Sequence, residues 1–157
     1  MRLSDGDPFP PLHASRLEHG TMTLPADVAG RWAIIVFYRG HWCPYCRRQL
    51  TNFQHSWEAL SGADVALVAL SADAQEDAEA TRKRHGLTFP VLYGLDPVTV
   101  RDGTGAFLDA DEAYIQATSF ILRPDGTVAL AVYSTGAVGR LEPQDALGFI
   151  EYVRANG

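Results

Sequence analysis

The chain has 157 residues, of which 46% are hydrophobic and 20% charged, with a formal net charge of −6 and a pI near 5.2. That length leads us to expect one domain over residues 1–157, and the composition excludes a disordered chain. The acidic balance argues against nucleic acid or an anionic membrane as partner, and the longest apolar run, Trp32 to Tyr38, is too short to span a bilayer. The opening Met1-Arg2-Leu3-Ser4-Asp5-Gly6-Asp7-Pro8 carries no apolar signal core, so a cytoplasmic protein is expected.

Strand-like pieces near His13–Leu17 and Thr21–Leu24 predict a hairpin through Glu18-His19-Gly20. The run Trp32 to Tyr38, rich in β-branched and aromatic residues, reads as a central strand buried on both faces. After Arg39-Gly40-His41-Trp42 a helix begins near Cys43; Leu50, Phe53, Trp57 and Leu60 form its apolar face, and Ser61-Gly62 ends it. Val65–Leu70 is a second buried-type strand. Asp73 with Glu76 resembles a capping box, opening a helix to about His85 that stops at Gly86. Phe89–Leu92 reads as a short strand that Pro90 marks as an edge or cuts short. Residues 94–117 carry the weakest pattern, with a short helix expected around Asp109–Tyr114. Ser119–Leu122 and Val128–Tyr133 flank Arg123-Pro124-Asp125-Gly126, a hairpin signal, and Pro143 opens a final helix with Leu147, Ile150 and Val153 on one face. This order gives an α/β class and the plan of a thioredoxin-like fold: a central mixed sheet, helices on both faces, and a C-terminal β-hairpin plus helix.

Both cysteines lie in Cys43-Pro44-Tyr45-Cys46. Two are too few for a disulfide framework, so the pair reads as redox-active or metal-binding. Spacing i, i+3 at a helix start places both sulfurs on one side, within disulfide reach. The helix N-terminus favours a thiolate, lowering the pKa of the first cysteine, and Pro44 suits the first turn. Such an arrangement carries out thiol–disulfide exchange. The other readings are a pair of inert buried thiols and a zinc site; zinc needs two more ligands, and His13, His19, His41, His55 and His85 show no ligand spacing. No metal is therefore expected.

Arg39, His41, Arg47 and Arg48 make this loop positive, suited to stabilising a thiolate and attracting an anionic substrate such as glutathione. Arg39 is the best placed, because it leaves the strand directly before the loop; Arg48 reads as a solvated helix residue. His41 is a proton shuttle or simply exposed. Trp42 shields the disulfide, lines a substrate groove, or packs. Thr118 offers backbone or hydroxyl bonds to a substrate, or is ordinary strand chemistry. The acidic group Asp73, Glu76, Asp77 and Glu79 reads as a solvated helix start with no assigned function.

The stretch Ile34-Ile35-Val36-Phe37-Tyr38-Arg39-Gly40-His41-Trp42-Cys43-Pro44-Tyr45-Cys46 resembles the peroxiredoxin-like branch of the alkyl hydroperoxide reductase/thiol-specific antioxidant family. Gly6-Asp7-Pro8-Phe9-Pro10, Gly86-Leu87-Thr88-Phe89-Pro90-Val91-Leu92 and Thr118-Ser119-Phe120-Ile121-Leu122-Arg123-Pro124-Asp125-Gly126 are similar to it as well. The resemblance implies a thioredoxin fold and a thiol-dependent reductase of peroxides or disulfides. It also implies no bound cofactor, a thioredoxin- or glutathione-type electron donor, and dimers in many relatives. In the family's Pro/Thr/Cys frame, Arg39 stands at the Pro, Cys43 at the Thr and Cys46 at the peroxidatic Cys. The family's activating Arg would fall near Ala117 and Thr118, where there is none; Arg39 or Arg47 is the substitute. The leading expectation is hydroperoxide reduction by a Cys43/Cys46 dithiol. The alternatives are a disulfide reductase without peroxidase activity and a redox-switched binding protein. The exchange enzymes make Cys43 the nucleophile and Cys46 the resolving thiol, whereas the peroxiredoxin frame reverses them. Helix position favours Cys43 as the more exposed and activated sulfur.

Overall fold

A computed structural model describes residues 1–18 and 20–157; the turn expected through His19 lies partly outside them. Seven strands form one sheet in the order β2-β1-β5-β4-β3-β6-β7. They are β1 (Leu12–Arg16), β2 (Gly20–Leu24), β3 (Trp32–Phe37), β4 (Val65–Leu70), β5 (Val91–Tyr93), β6 (Thr118–Leu122) and β7 (Val128–Tyr133). β3, β4 and β5 run parallel, and the β6–β7 hairpin adds antiparallel to β3, as its turn residues predict. The N-terminal hairpin β1–β2 closes the other edge, antiparallel to β5.

Every residue of β3 and β4 is buried, because both faces are covered. Alternate side chains Ile34, Val36, Val65, Leu67 and Ala69 meet Leu50, Phe53, Leu60, Ala78, Ala146 and Ile150. Those partners come from α1 (Pro44–His55), α2 (Trp57–Gly62), α3 (Gln75–His85) and α5 (Pro143–Asn156). On the opposite face, Ala33, Ile35, Phe37, Val68 and Leu70 pack with Leu3, Phe9, Ile115 and Val100 of α4 (Pro97–Thr104). Among the described residues no helix is long and apolar enough to cross a membrane.

Four local expectations change. The helix expected from Cys43 through Leu60 is two helices, interrupted at Ser56 (φ −95°, ψ 0°); Phe53 and Leu60 stay buried on both sides of the break, so apolar spacing cannot register it. Asp73 does not cap α3, whose N-cap is Ala74 and makes no side-chain bond; the Asp73 carboxylate instead accepts the His41 N–H at 2.9 Å. β5 lies inside the sheet rather than at an edge: it begins after Pro90, whose missing N–H costs no ladder bond and whose carbonyl accepts from Ala69 N. The helix expected at Asp109–Tyr114 is a turn in which one carboxylate oxygen of Asp109 accepts from the N–H groups of Ala113 (2.7 Å) and Tyr114 (2.8 Å), satisfying the backbone without helix. The helix of this region lies earlier, at α4, where Asp96 accepts from Thr99 N, Pro97 takes the first turn and Gly105 ends it at φ 82°.

Phe120 anchors the second core, meeting Phe9, Phe37 and Tyr133 edge to face at 5.4, 6.2 and 5.6 Å with no exposure of its own. Phe120→Ala is expected to cost about 3–5 kcal/mol, read as a lower urea midpoint at unchanged slope.

Candidate active site

The carboxyl end of β3 runs out through Tyr38 and Arg39 into a short loop, and α1 starts at Pro44. Cys43 is its N-cap, extended at φ −88° and ψ 114°, and its sulfur accepts the Cys46 N–H at 3.3 Å. Pro44 occupies the first turn, where its lack of an N–H leaves no acceptor unpaired. Cys46 lies one turn into the helix, and both cysteines are buried free thiols. Both residues have 0% exposure, which corrects the expectation that Cys43 is the more exposed. The N-cap lies against the loop and under two guanidinium groups, so access to either sulfur requires a side chain to move.

The first guanidinium is Arg39, whose Nη1 is 3.7 Å from the Cys43 sulfur and whose backbone N–H donates to Cys46 at 3.3 Å. It is held by Gln116 Oε1 at 3.0 Å and the Tyr114 hydroxyl at 3.1 Å, and it stacks over the rings of Trp42 and Tyr114 at 5.0 and 5.2 Å. The second is Arg140, from the segment between β7 and α5. Its Nη2 reaches Cys46 at 3.0 Å and Cys43 at 3.6 Å, Nη1 donates to Gln49 Oε1 at 2.6 Å, and Nε donates to the Ala137 carbonyl at 2.7 Å. Gln49 is buried on α1 and uses its other amide end on the Leu141 carbonyl at 3.0 Å, fixing the segment that carries Arg140.

These contacts separate the two thiols. Burial pushes Cys43 up, but hydrogen bonds from the Cys46 thiol and N–H and from Arg39, with the charge of Arg140, outweigh it and bring it below its ordinary value. Burial and donation to Cys43 raise Cys46 to about 11, against the pull of Arg140. Cys43 is therefore the sulfur that holds a negative charge first.

The loop is pinned from the far side by Asp73, largely buried, which takes the His41 N–H and faces His41 Nδ1 at 3.3 Å. Burial raises its carboxyl and His41 opposes the rise. Trp42, 42% exposed, folds back over Gly40 and meets Tyr114 edge to face at 4.8 Å. A Cβ on Gly40 would lie 2.5 Å from the indole nitrogen, so only glycine admits this fold.

Of the residues singled out from sequence, Cys43, Cys46, Arg39 and Trp42 gather here. Thr118 does not join them by a recorded side-chain contact; it is buried in β6 and donates its hydroxyl to the Gln116 carbonyl at 2.9 Å, next to the amide that holds Arg39. Arg47 donates to the Trp42 carbonyl at 3.2 Å, and Arg48 lies over Tyr45. Sequence reading missed Arg140, Gln49, Tyr114, Gln116 and the part played by Asp73. Arg140 lies 94 residues from Cys46 in the chain, where no spacing rule reaches. Among the described residues no three His, Cys, Asp or Glu side chains gather to hold a metal ion.

The family model described as the AhpC/TSA family matches residues 6–131. A peroxiredoxin of Treponema denticola is 28% identical over 141 residues, covering 86% of this chain and 66% of that protein. One of Methanothermobacter marburgensis is 27% identical over 150 residues, covering 88% and 67%. The chain thus spans about two thirds of these relatives. The solved structure of Mycobacterium tuberculosis AhpC superposes with a TM-score of 0.82 at 19% identity, covering 99% of this chain and 96% of that one, a likeness of fold.

Absorbance of the thiolate near 240 nm should rise in two steps with pH, the first shifted below the ordinary cysteine value and the second near 11. Arg140→Met should move the first step up by about one pH unit, because the thiolate loses a cation while its burial stays. An unmoved first step would remove Arg140 from the electrostatics of the pair.

Proposed function

The chain belongs to the AhpC/TSA family, and from that premise we propose that it is a thiol-dependent peroxidase in which Cys43 attacks a hydroperoxide and Cys46 resolves the product. The observation that carries this assignment is the Cys43 sulfur at the helix N-cap, accepting the Cys46 N–H beneath Arg39 and Arg140.

The Cys43 thiolate attacks the terminal oxygen of ROOH. The O–O bond breaks, its electron pair leaves on the alkoxide, and the alkoxide takes a proton to give ROH. Cys43 is then a sulfenic acid. The Cys46 sulfur displaces its hydroxyl group as water, the Cys46 proton going with it, and a disulfide forms. An external dithiol, or two thiols of glutathione type, returns two electrons and two protons. Arg39 and Arg140 stabilise the thiolate and have N–H groups to hold the peroxide oxygens as charge develops on the leaving one. Trp42 walls the site. Thr118 acts as a positioning residue, steadying Gln116 and through it Arg39. A dithiol cycle of this kind suits a reducing compartment such as the cytoplasm, and the 157 residues act as one unit.

A second assignment reverses the cysteines. It is favoured by Arg140, which lies nearer Cys46 (3.0 Å) than Cys43 (3.6 Å). Disulfide exchange without peroxidase activity uses the same pair and the same first thiolate.

Reduced protein mixed with cumene hydroperoxide, followed by tryptophan fluorescence in stopped flow, tests these readings. Wild type should oxidise far faster than free cysteine. Cys46→Ser should keep the first phase and accumulate a sulfenic acid that dimedone traps on Cys43, while Cys43→Ser should lose that phase. The opposite pattern assigns the attack to Cys46. Oxidation of wild type no faster than free cysteine removes the peroxidase and leaves disulfide exchange.

A further inference from the structure

The sheet has a gap. β4 is six residues long, whereas β5 has three and pairs with β4 only at Ala69 and Leu70. Ala69 N–H points to that side and donates to the Pro90 carbonyl at 3.1 Å, so alternation along the strand turns the N–H and C=O of Leu67 the same way. Among the described residues no backbone group pairs with Leu67 there. Where a longer β5 would lie, there is a cavity of about 490 Å³ between the start of β4, the β1–β2 hairpin and Thr88–Pro90.

Two features make this more than a hole between strands. Arg16 lines it, and its buried Nε has no hydrogen-bond partner among the described residues. An N–H buried without an acceptor is costly, and the rest of the half-buried Arg16 side chain is a cationic donor at the cavity wall. The Leu67 N–H supplies a second donor, and the Thr88 hydroxyl, already accepting from Gln54 Nε2 at 2.9 Å, has its own hydrogen to give. Arg31 stands exposed at the rim. The rest of the lining mixes the polar Thr21 with the apolar Trp57, Met22 and Val28, of which Trp57 is the more exposed. The acid in the lining is Asp27, whose carboxylate accepts the Thr23 N–H at 2.7 Å and keeps the net positive charge of the cavity small.

We propose that this gap is a binding site for a small organic carboxylate. Its two oxygens lie on the Arg16 guanidinium and the Leu67 N–H, and its apolar body lies against Trp57 and Met22. A guanidinium fork with one backbone donor matches a planar carboxylate, and the Asp27 carboxylate in the lining, with the Trp57 ring beside it, suits a monoanion better than a phosphate. The site lies along the first half of β4, whereas Cys43 and Cys46 lie beyond the carboxyl ends of β3 and β4. It is therefore separate from the thiol chemistry and does not rest on it.

Benzoate titrated into the isotope-labelled full chain provides the test, with the Leu67 amide, the Arg16 Nε–H and the Trp57 indole N–H read by NMR. Saturable shifts of these signals are expected, with a Kd below about 1 mM. Arg16→Gln should weaken binding at least about tenfold, and Arg31→Gln, at the exposed rim, about two- to threefold, both with unchanged melting temperature. Peroxide oxidation should be the same in both variants as in wild type. Shifts that do not saturate in wild type overturn the site, as does equal affinity in Arg16→Gln. Inorganic phosphate binding as tightly as benzoate overturns the carboxylate assignment.

Discussion

The hydrogen bond from the Cys46 amide to the Cys43 sulfur is the contact on which the thiol site depends. It exists because the helix begins at Pro44 and not a residue earlier or later, which leaves Cys43 outside the helix and Cys46 one turn within it. The two side chains are chemically identical, so position alone makes one an acceptor of helix N–H groups and the other a donor to its neighbour. Shifting the start of α1 by one residue would exchange or cancel that asymmetry.

Burial works against the same charge, and the fold answers with two arginines brought from opposite directions along the chain. Their orienting partners are neutral: Gln116 and Tyr114 for Arg39, Gln49 and the Ala137 carbonyl for Arg140. A carboxylate in those places would orient a guanidinium equally well but would also cancel the charge the sulfur needs. The nearby acid, Asp73, is instead spent on His41 at the outer side of the loop, where it fixes the backbone. Orientation and charge are thus supplied by different residues.

Much of this was legible in the sequence wherever the signal was local. The buried strands, the hairpin turn at Arg123–Gly126, the Cys43–Cys46 pair and Arg39 all follow from residue type within a few positions. What stayed hidden depends on contacts across the chain. Gln116 lies 77 residues from Arg39, and Arg140 sits in a segment whose sequence carries no pattern of its own. Asp73 was legible as a polar residue before a helix, but its carboxylate had two possible targets, the helix N–H groups and the loop, and only the tertiary approach of His41 decides between them. In residues 94–117 the acids misled for a related reason. Asp109 satisfies a turn and Asp96 starts a helix, and the two are alike until their neighbours are placed.

Arg140 ties the chemistry of the sulfurs to the last helix. Its segment is fixed by the Leu141 carbonyl on Gln49, and Leu141 shares the core with Ala146 and Ile150 of α5. A chain emerging from the ribosome presents Cys43 and Cys46 long before Arg140 and α5 exist. During that interval the thiols lack one of their two cations and the helix start has no core to rest on. The lowering of the Cys43 thiol below its ordinary value is therefore complete only once α5 has packed and brought Arg140 over the sulfurs.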